Sequence, residues 1–542
     1  MSKKLAAFIQ NASIYFGIIF AAAISLVTLL FTTIMPACFT EDIEVTFAPY
    51  IIIVIILLIS ILAIKPIYKK LEKINPATIA KVAFFWGLIA SLIWVFIADA
   101  FPMWDSYDLV RAAEAIIGNR GPEQLSKWAP GSYMERYPYQ TPIMLLLAAC
   151  MLFAGSNYIL FFEFLNCLAC GLTMYLIIKY THLIFKNKTT TAISAILVML
   201  FAPLIIYATF IYGNLICLPF ALGCLILQKK ALDEKMTKKR VWLIVASIIA
   251  GAIAVILKKP TLIIVLGVAV VYVVWALKNQ KFQYLAVALI SVLVANYAIL
   301  PINAFVELQT GKNLHNGVPT ITWIAMGTGS GSEYFADTTG DESLRTDTHK
   351  AGYYDAYPWI TPGDTYSPEA IKETSIEYIK KRIGHYVADP GLFFSFYANK
   401  LAVSWAEPTF ESFLASNWED PSNPDAKVLC NRDYTIFGRS FYYGKAHAVI
   451  VLILDALQTI IPVGLLAALI SLRKKLDITQ MGAFIAALGL FVVYLFWETK
   501  TQYMFPPFLL IIPFSAMGWA LIIPKIHQLK ITEKVKKLWK HH

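Results

Sequence analysis

Between Phe101 and Pro142 the chain reads FPMWDSYDLVRAAEAIIGNRGPEQLSKWAPGSYMERYPYQTP, placing Asp105 and Asp108 directly after an apolar run and Glu135 and Arg136 before a proline-bearing turn. Carboxylates at a membrane exit suit general-base chemistry, because a positioned acid or base contributes roughly a hundred- to ten-thousandfold to a reaction. The alternative reading of Asp105 is an N-cap, since Leu109, Val110, Ala113, Ile116 and Ile117 follow with helical spacing. Capping alone leaves unexplained why a second acid–base pair, Glu135 and Arg136, returns after a loop of about 30 residues.

Two further polar groups stand where apolar spans meet. Lys258 and Lys259 fall inside GAIAVILKKPTLIIVLGVAV. A lysine at the bilayer centre costs roughly 2.5–3.5 kcal/mol, so an intramembrane charge is a functional hypothesis, against which stands snorkelling from two helix ends. Glu498, Lys500, Gln502 and Tyr503 occupy the turn FWETKTQYMFPPF, which taken alone reads as an ordinary polar hairpin. Trp405 and Glu407 in SWAEPTF read as part of an interfacial aromatic belt. The histidines, among them His315, His349, His385 and His447, lack metal-ligand spacing.

The elements that hold these residues follow from composition. Of 542 residues, 58% are hydrophobic and 15% charged, against about 25% charged in soluble domains. The apolar blocks run 15–25 residues, near the roughly 20 a helix needs to span the hydrocarbon core, and lack the alternation of a barrel strand. The fold class expected is an all-α polytopic membrane protein with spans near 12–35, 49–64, 81–100, 157–179, 190–207, 210–228, 241–257, 261–277, 282–302, 447–471, 479–497 and 503–523. MSKK precedes the first apolar run without a convincing cleavage site, so that run is read as an anchor. Five cysteines lie in apolar segments; Cys38 and Cys430 lie near polar loops, where a pairing is open.

Basic clusters at Lys3–Lys4, Lys65–Lys81, Lys179–Lys188, Lys229–Arg240, Lys278–Lys281, Arg473–Lys475 and from Lys525 onward share one side if both termini are cytoplasmic. That topology requires the 14-residue apolar run Pro142–Gly155 to be re-entrant or surface-lying, since a full crossing would invert every later loop. The organisation expected is a transmembrane catalytic module at 1–302 with its first large outer loop at 101–156, an extracytoplasmic domain at 303–446, and C-terminal helices with a basic tail at 447–542. Residues 303–445 hold 18 acidic and 12 basic residues, net −6, leaving 34 basic and 17 acidic elsewhere. The overall +11 therefore follows the positive-inside rule and does not argue for nucleic acid. Within this segment a Ser-Pro-Glu start at Ser367 opens a helix, and after Asp389-Pro390-Gly391 a second helix is read as lying on the bilayer with aromatics inward.

These residues, in this order, resemble the GT-C superfamily of polyprenyl-phosphate-sugar glycosyltransferases, and most the branch of protein O-mannosyltransferases and the lipid A aminoarabinose transferase. Asp105 with Tyr107, Ala112 and Ala113 is similar to the family's first-loop Asp at the start of a juxtamembrane helix. ERYP at Glu135–Pro138 followed by TPIMLL resembles its Glu-Lys-Pro-Pro or His-Pro-Pro turn, and GAIAVILKK resembles its Gly-x-x-x-Leu-Thr-Lys stretch, with Lys259 at the lysine. Two extra spans precede the Asp loop, Arg136 stands for a lysine and Tyr137 for a proline. The resemblance implies transfer of a sugar from a polyprenyl-phosphate donor to an extracytoplasmic acceptor, with inversion, at the outer face of the plasma membrane; the acceptor would be a cell-wall glycopolymer, glycolipid or protein. Asp105, with Asp108, would serve catalysis; Arg136, Lys259 and Lys258 the donor phosphate; Glu135, Tyr137, Glu498 and Tyr503 the substrates. No cofactor is expected, although relatives differ in divalent-metal dependence. The rival readings are a twelve-span secondary transporter, disfavoured by the lack of an internal repeat, and a polymerase or ligase using a pyrophosphate carrier.

Overall fold

The computed structural model describes residues 2–35, 43–98, 100, 102–315, 317–329, 340, 349–355, 357–359, 366–416 and 436–528. Cys38, Cys430 and most of the polar stretch after Gly329 lie outside them. Among the described residues, ten helices are long and apolar enough to cross a membrane. Apolar runs fold this way because hydrocarbon offers no partner for a backbone N–H or C=O, and a helix satisfies these groups within its own segment. The chain is thus an all-α, multi-pass membrane protein.

Each expected span is mostly helical, the first ending at Leu30 where a strand begins, but two depart from a simple crossing. The run near 190–207 divides at Pro203 into Lys188–Leu200 and Pro203–Thr209, bent by 54°. Gly482–Phe496 has 15 residues and is about 22 Å long, short of a roughly 30 Å hydrocarbon core.

Thr141–Ala154 is a separate short helix that folds back along its neighbour. Ile143 lies with Ile211 and Tyr212 in one buried cluster, while the Asn166 amide donates to the Ala208 and Phe210 carbonyls at 3.1 and 2.9 Å. A continuous helix would hold residues 143 and 166 about 35 Å apart, so the chain reverses between them. It turns at Gly155, whose φ of +56° is a conformation glycine adopts without a Cβ clash. The short helix buries Ile143, Met144 and Leu147 in the cluster that also contains Leu109, Val110 and Ala113 of the Asp105–Ile116 helix.

The described secondary-structure elements within residues 303–446 are helical, with helices at Thr320–Thr328, Pro368–Ala388 and Pro390–Trp405. The Ser367 hydroxyl caps the second by accepting from the Ala370 N–H at 3.2 Å, and Asp389 caps the third through the Gly391 and Leu392 N–H groups. On that third helix Phe396 and Trp405 are buried and Phe394 is exposed. Trp405 packs among Phe20, Phe491 and Phe508, so it is a core residue and not part of an aromatic belt. A two-stranded antiparallel hairpin, Phe31–Ile34 with Glu44–Phe47, is tied to this helix by the Thr33 N–H donating to the Ala406 carbonyl at 2.8 Å.

Candidate active site

Asp105 is the first residue of its helix, with Trp104 at the cap position and no side chain capping it. Trp104 has a φ of +49°, a strained setting for a side chain that costs about 1–3 kcal/mol. The capping reading of Asp105 therefore gives way: the helix begins one residue earlier than a cap requires, and the carboxylate is exposed. Its Oδ2 lies 3.5 Å from the Tyr212 hydroxyl. Tyr212 is buried, and its hydroxyl lies 3.4 Å from that of Tyr133 and accepts a short hydrogen bond from the Gln140 amide. Burial first, and then the Asp105 charge, raises the Tyr212 phenol well above its usual range, so it stays a neutral donor beside the carboxylate.

Lys258 completes this corner. Its ammonium stands 4.2 Å from the centre of the Tyr212 ring, a cation–π contact. Burial pushes its pKa down to about 8; Cys217, Asp105 and Glu498 oppose that shift and Lys500 adds to it. The approach depends on Gly213, where a Cβ would come within 1.9 Å of the Leu257 carbonyl oxygen. Only glycine lets the segment after Tyr212 press against the end of the Thr237–Leu257 helix. Lys259 points elsewhere and donates to Asn296 Oδ1 at 2.9 Å. Lys258 has an extended backbone (φ −152°, ψ 105°) between the Thr237–Leu257 helix and the Lys259–Thr261 turn, and side chains on extended backbone alternate in direction, so one lysine faces the site and its neighbour faces another helix.

The turn at 498–503 brings the remaining charges. Glu498 is buried, its N–H donates to the Trp323 carbonyl at 2.6 Å, and its Oε2 lies 3.5 Å from the Tyr503 hydroxyl. Asn214 donates to the Gln502 side chain at 3.1 Å. Lys258, Asn214, Gln502 and Tyr503 line one cavity together with the apolar Ile264 and Leu490. Glu498 bears electrostatically on Tyr137, Tyr139 and Lys258, as Asp105 does, so both acids act on the same volume.

Other expected site residues have different settings. Asp108 is ion-paired with Lys127 at 2.7 Å, tying its helix to the following loop. Glu135 accepts from the Gly131 N–H at 2.5 Å. The Arg136 guanidinium lies between the Trp359 and Tyr366 rings at 5.6 and 5.3 Å, and its buried Nε has no hydrogen-bond partner among the described residues. Tyr137 sits in an aromatic group with Tyr133, Trp323 and Trp359.

Three contributors were not singled out in the sequence: Tyr212, Gln140 and Lys400. Lys400, buried on the Pro390–Trp405 helix, donates to the Gly327 carbonyl at 2.5 Å and the Trp497 carbonyl at 2.9 Å. Burial lowers its pKa to about 7, with Glu498 opposing. It joins three segments immediately before Glu498. Its one sequence signal is a lysine within an aromatic-rich helix. Among the described residues no group of three or more His, Cys, Asp or Glu side chains is arranged to hold a metal ion.

No protein-family model matches the chain, and no curated protein matches it. Among solved structures, the chain is similar to the Archaeoglobus fulgidus oligosaccharyltransferase, described in complex with Zn and sulfate, at 14% identity and a TM-score of 0.44 over 82% of this chain. The match covers 49% of that protein, so this chain spans about half its length.

Proposed function

We propose that the chain is a GT-C-type membrane glycosyltransferase that moves a sugar from a polyprenyl-phosphate donor to an acceptor hydroxyl at the outer face of the plasma membrane. The observation that carries this reading is the meeting of an exposed carboxylate, Asp105, with the Lys258 ammonium across Tyr212, beside a cavity with both polar and apolar walls. A lipid phosphate needs such a place, with a cation for its head and apolar helix faces for its first isoprene units.

In this mechanism Asp105 accepts the acceptor's hydroxyl proton while the hydroxyl oxygen attacks the anomeric carbon. The bond from that carbon to the phosphate oxygen breaks, and its electron pair leaves on polyprenyl phosphate. One displacement inverts the configuration. Lys258 stabilises the departing phosphate, since a fixed charge at the place where charge develops lowers the barrier without reorganisation; Arg136, expected beside the phosphate, stands instead between the Trp359 and Tyr366 rings. Lys259 would reach the phosphate only by giving up Asn296. Asp108 supports the helix through Lys127, while Glu498 and Tyr503 line the donor side. The reaction as drawn uses no cofactor.

The test is direct. The purified chain in lipid nanodiscs is given short-chain polyprenyl-phosphate sugars with an envelope extract as acceptor, and lipid phosphate release is followed by mass spectrometry, which also identifies co-purifying lipids. Donor consumption lost in Asp105→Asn supports the proposal. Solute flux in proteoliposomes without donor consumption would point to a transporter, and consumption of only pyrophosphate-linked donors to a polymerase or ligase. For the orientation, a cysteine at Ser332 should react with an impermeant thiol reagent added outside and one at Lys235 should not; the opposite pattern would move the site to the cytoplasm.

A further inference from the structure

Near Asp105, aromatic rings from three separate segments form one cluster. The Tyr137 ring centre lies 6.1 Å from Trp323 and 6.4 Å from Trp359, Trp323 and Trp359 are 6.2 Å apart, and Tyr354 lies 6.3 Å from Trp359 with its plane only 28° away. The cluster is linked electrostatically to the charged groups near it. Asp105, Arg136 and Glu498 act electrostatically on Tyr137; Arg136, Glu498 and Lys500 act on Tyr354. Trp323 is also held to Glu498 through its carbonyl.

Two polar donors among these rings lack hydrogen-bond partners among the described residues: the buried Trp359 Nε1 and Arg136 Nε. A buried donor without a partner costs about 1–3 kcal/mol, so a ligand that accepts from both recovers that energy. An aromatic set that anchored the fold in lipid would face outward along the bilayer surface. Here Trp359, together with Tyr366, packs on the Arg136 guanidinium, and Tyr354 is 50% exposed.

We infer that this aromatic cluster forms the acceptor subsite and that the acceptor is a saccharide. A pyranose ring has an apolar C–H face, which stacks on Trp or Tyr, and a rim of hydroxyl oxygens, which accept from the Trp359 and Arg136 N–H groups. An acyl chain would leave both donors unsatisfied. An extended peptide would present backbone donors and acceptors in a regular row, for which these rings offer no matching edge. The inference rests on Asp105 being the base of the proposed transfer, because that role makes the neighbouring aromatic cluster the acceptor's.

Saturation-transfer NMR tests this on the full chain in nanodiscs without any donor. The probes are α- and β-linked hexose tetramers, an N-acetylhexosamine tetramer and, separately, a Ser- and Thr-containing hexapeptide. Saturation of sugar C–H protons is expected from one or more of the saccharides. Tyr354→Ala, at a half-exposed position, and Trp359→Ala should each weaken binding about five- to tenfold, and Trp359→Phe should fall between them and wild type. No saturation from any saccharide, saturation unchanged in both alanine variants, or preference for the peptide would overturn the inference. Saccharide binding by a chain that consumes no lipid donor would keep the subsite and reject the transferase; donor consumption without saccharide binding would do the reverse.

Discussion

Two acid-rich regions adjoin the 498–503 turn, and they differ in burial: Glu407 is buried and Asp105 exposed. At Glu407, Oε1 accepts from the Thr409 N–H and hydroxyl at 2.9 and 2.6 Å, and Oε2 from the Glu411 N–H and the Thr501 hydroxyl at 2.8 and 3.2 Å. Glu411 in turn accepts from the Thr501 N–H and the Tyr353 hydroxyl at 3.0 and 3.1 Å. Burial raises the Glu407 pKa while those donors lower it. At Asp105 the carboxylate is exposed, its contact to Tyr212 is 3.5 Å long, and its electrostatic partners are a lysine and several phenols. A carboxylate saturated by short local bonds fixes a turn. One exposed at a helix start, beside Tyr212 and Lys258, can be reached by an incoming hydroxyl.

The largest test of that contrast is Asp105→Asn, which keeps the shape and removes the base. Sugar transfer at saturating donor and acceptor should fall about a hundred- to ten-thousandfold, with donor binding and thermal unfolding unchanged. A full rate would transfer the role to Asp108 or Glu135.

Lys258→Ala comes next. Losing a charge-assisted contact of roughly 1.5–3 kcal/mol should weaken donor affinity about ten- to hundredfold, measured by equilibrium binding of a labelled short-chain donor. Lys259→Ala should have a smaller effect, because its ammonium is already engaged by Asn296. The reverse order would show that the lysine turn rearranges when donor binds.

Glu407→Ala probes the other region. It leaves the donors on Thr409, Glu411 and Thr501 without their acceptor, and each unsatisfied buried group costs about 1–3 kcal/mol. The unfolding temperature in detergent should fall, whereas Asp105→Asn leaves it unchanged. A stable Glu407→Ala variant with lost transfer would show that the buried network acts in catalysis.

The smallest effect is on pH dependence. A free lysine keeps its proton to about pH 10.4, but Lys258 releases its own near 8. Donor affinity should therefore decline as pH rises through about 8, and Lys258→Arg, whose guanidinium stays charged, should flatten the profile. For stability the sign is opposite. Between pH 8 and 10 the unfolded chain binds the extra proton, so this site's contribution to folding rises with pH. A flat donor-affinity profile in wild type would separate Lys258 from the phosphate.

Sequence alone determined what depends on neighbours along the chain. Length and hydropathy marked the spans, the shortness of the run after Pro142 marked the helix that does not continue into its neighbour, and Ser367 and Asp389 marked two helix starts. The position of Asp105 at the mouth of an apolar span was legible for the same reason. Tertiary structure alone decided which lysine of the 258–259 pair faces the acid, that Tyr212 and Gln140 flank it, that Glu407 belongs to the scaffold, and that Lys400 pins the segment before Glu498. The physical reason is range. Periodicity reports residues three or four positions apart, whereas the contacts of this site join residue 105 to 212 and residue 407 to 501, pairings set by how the helices pack.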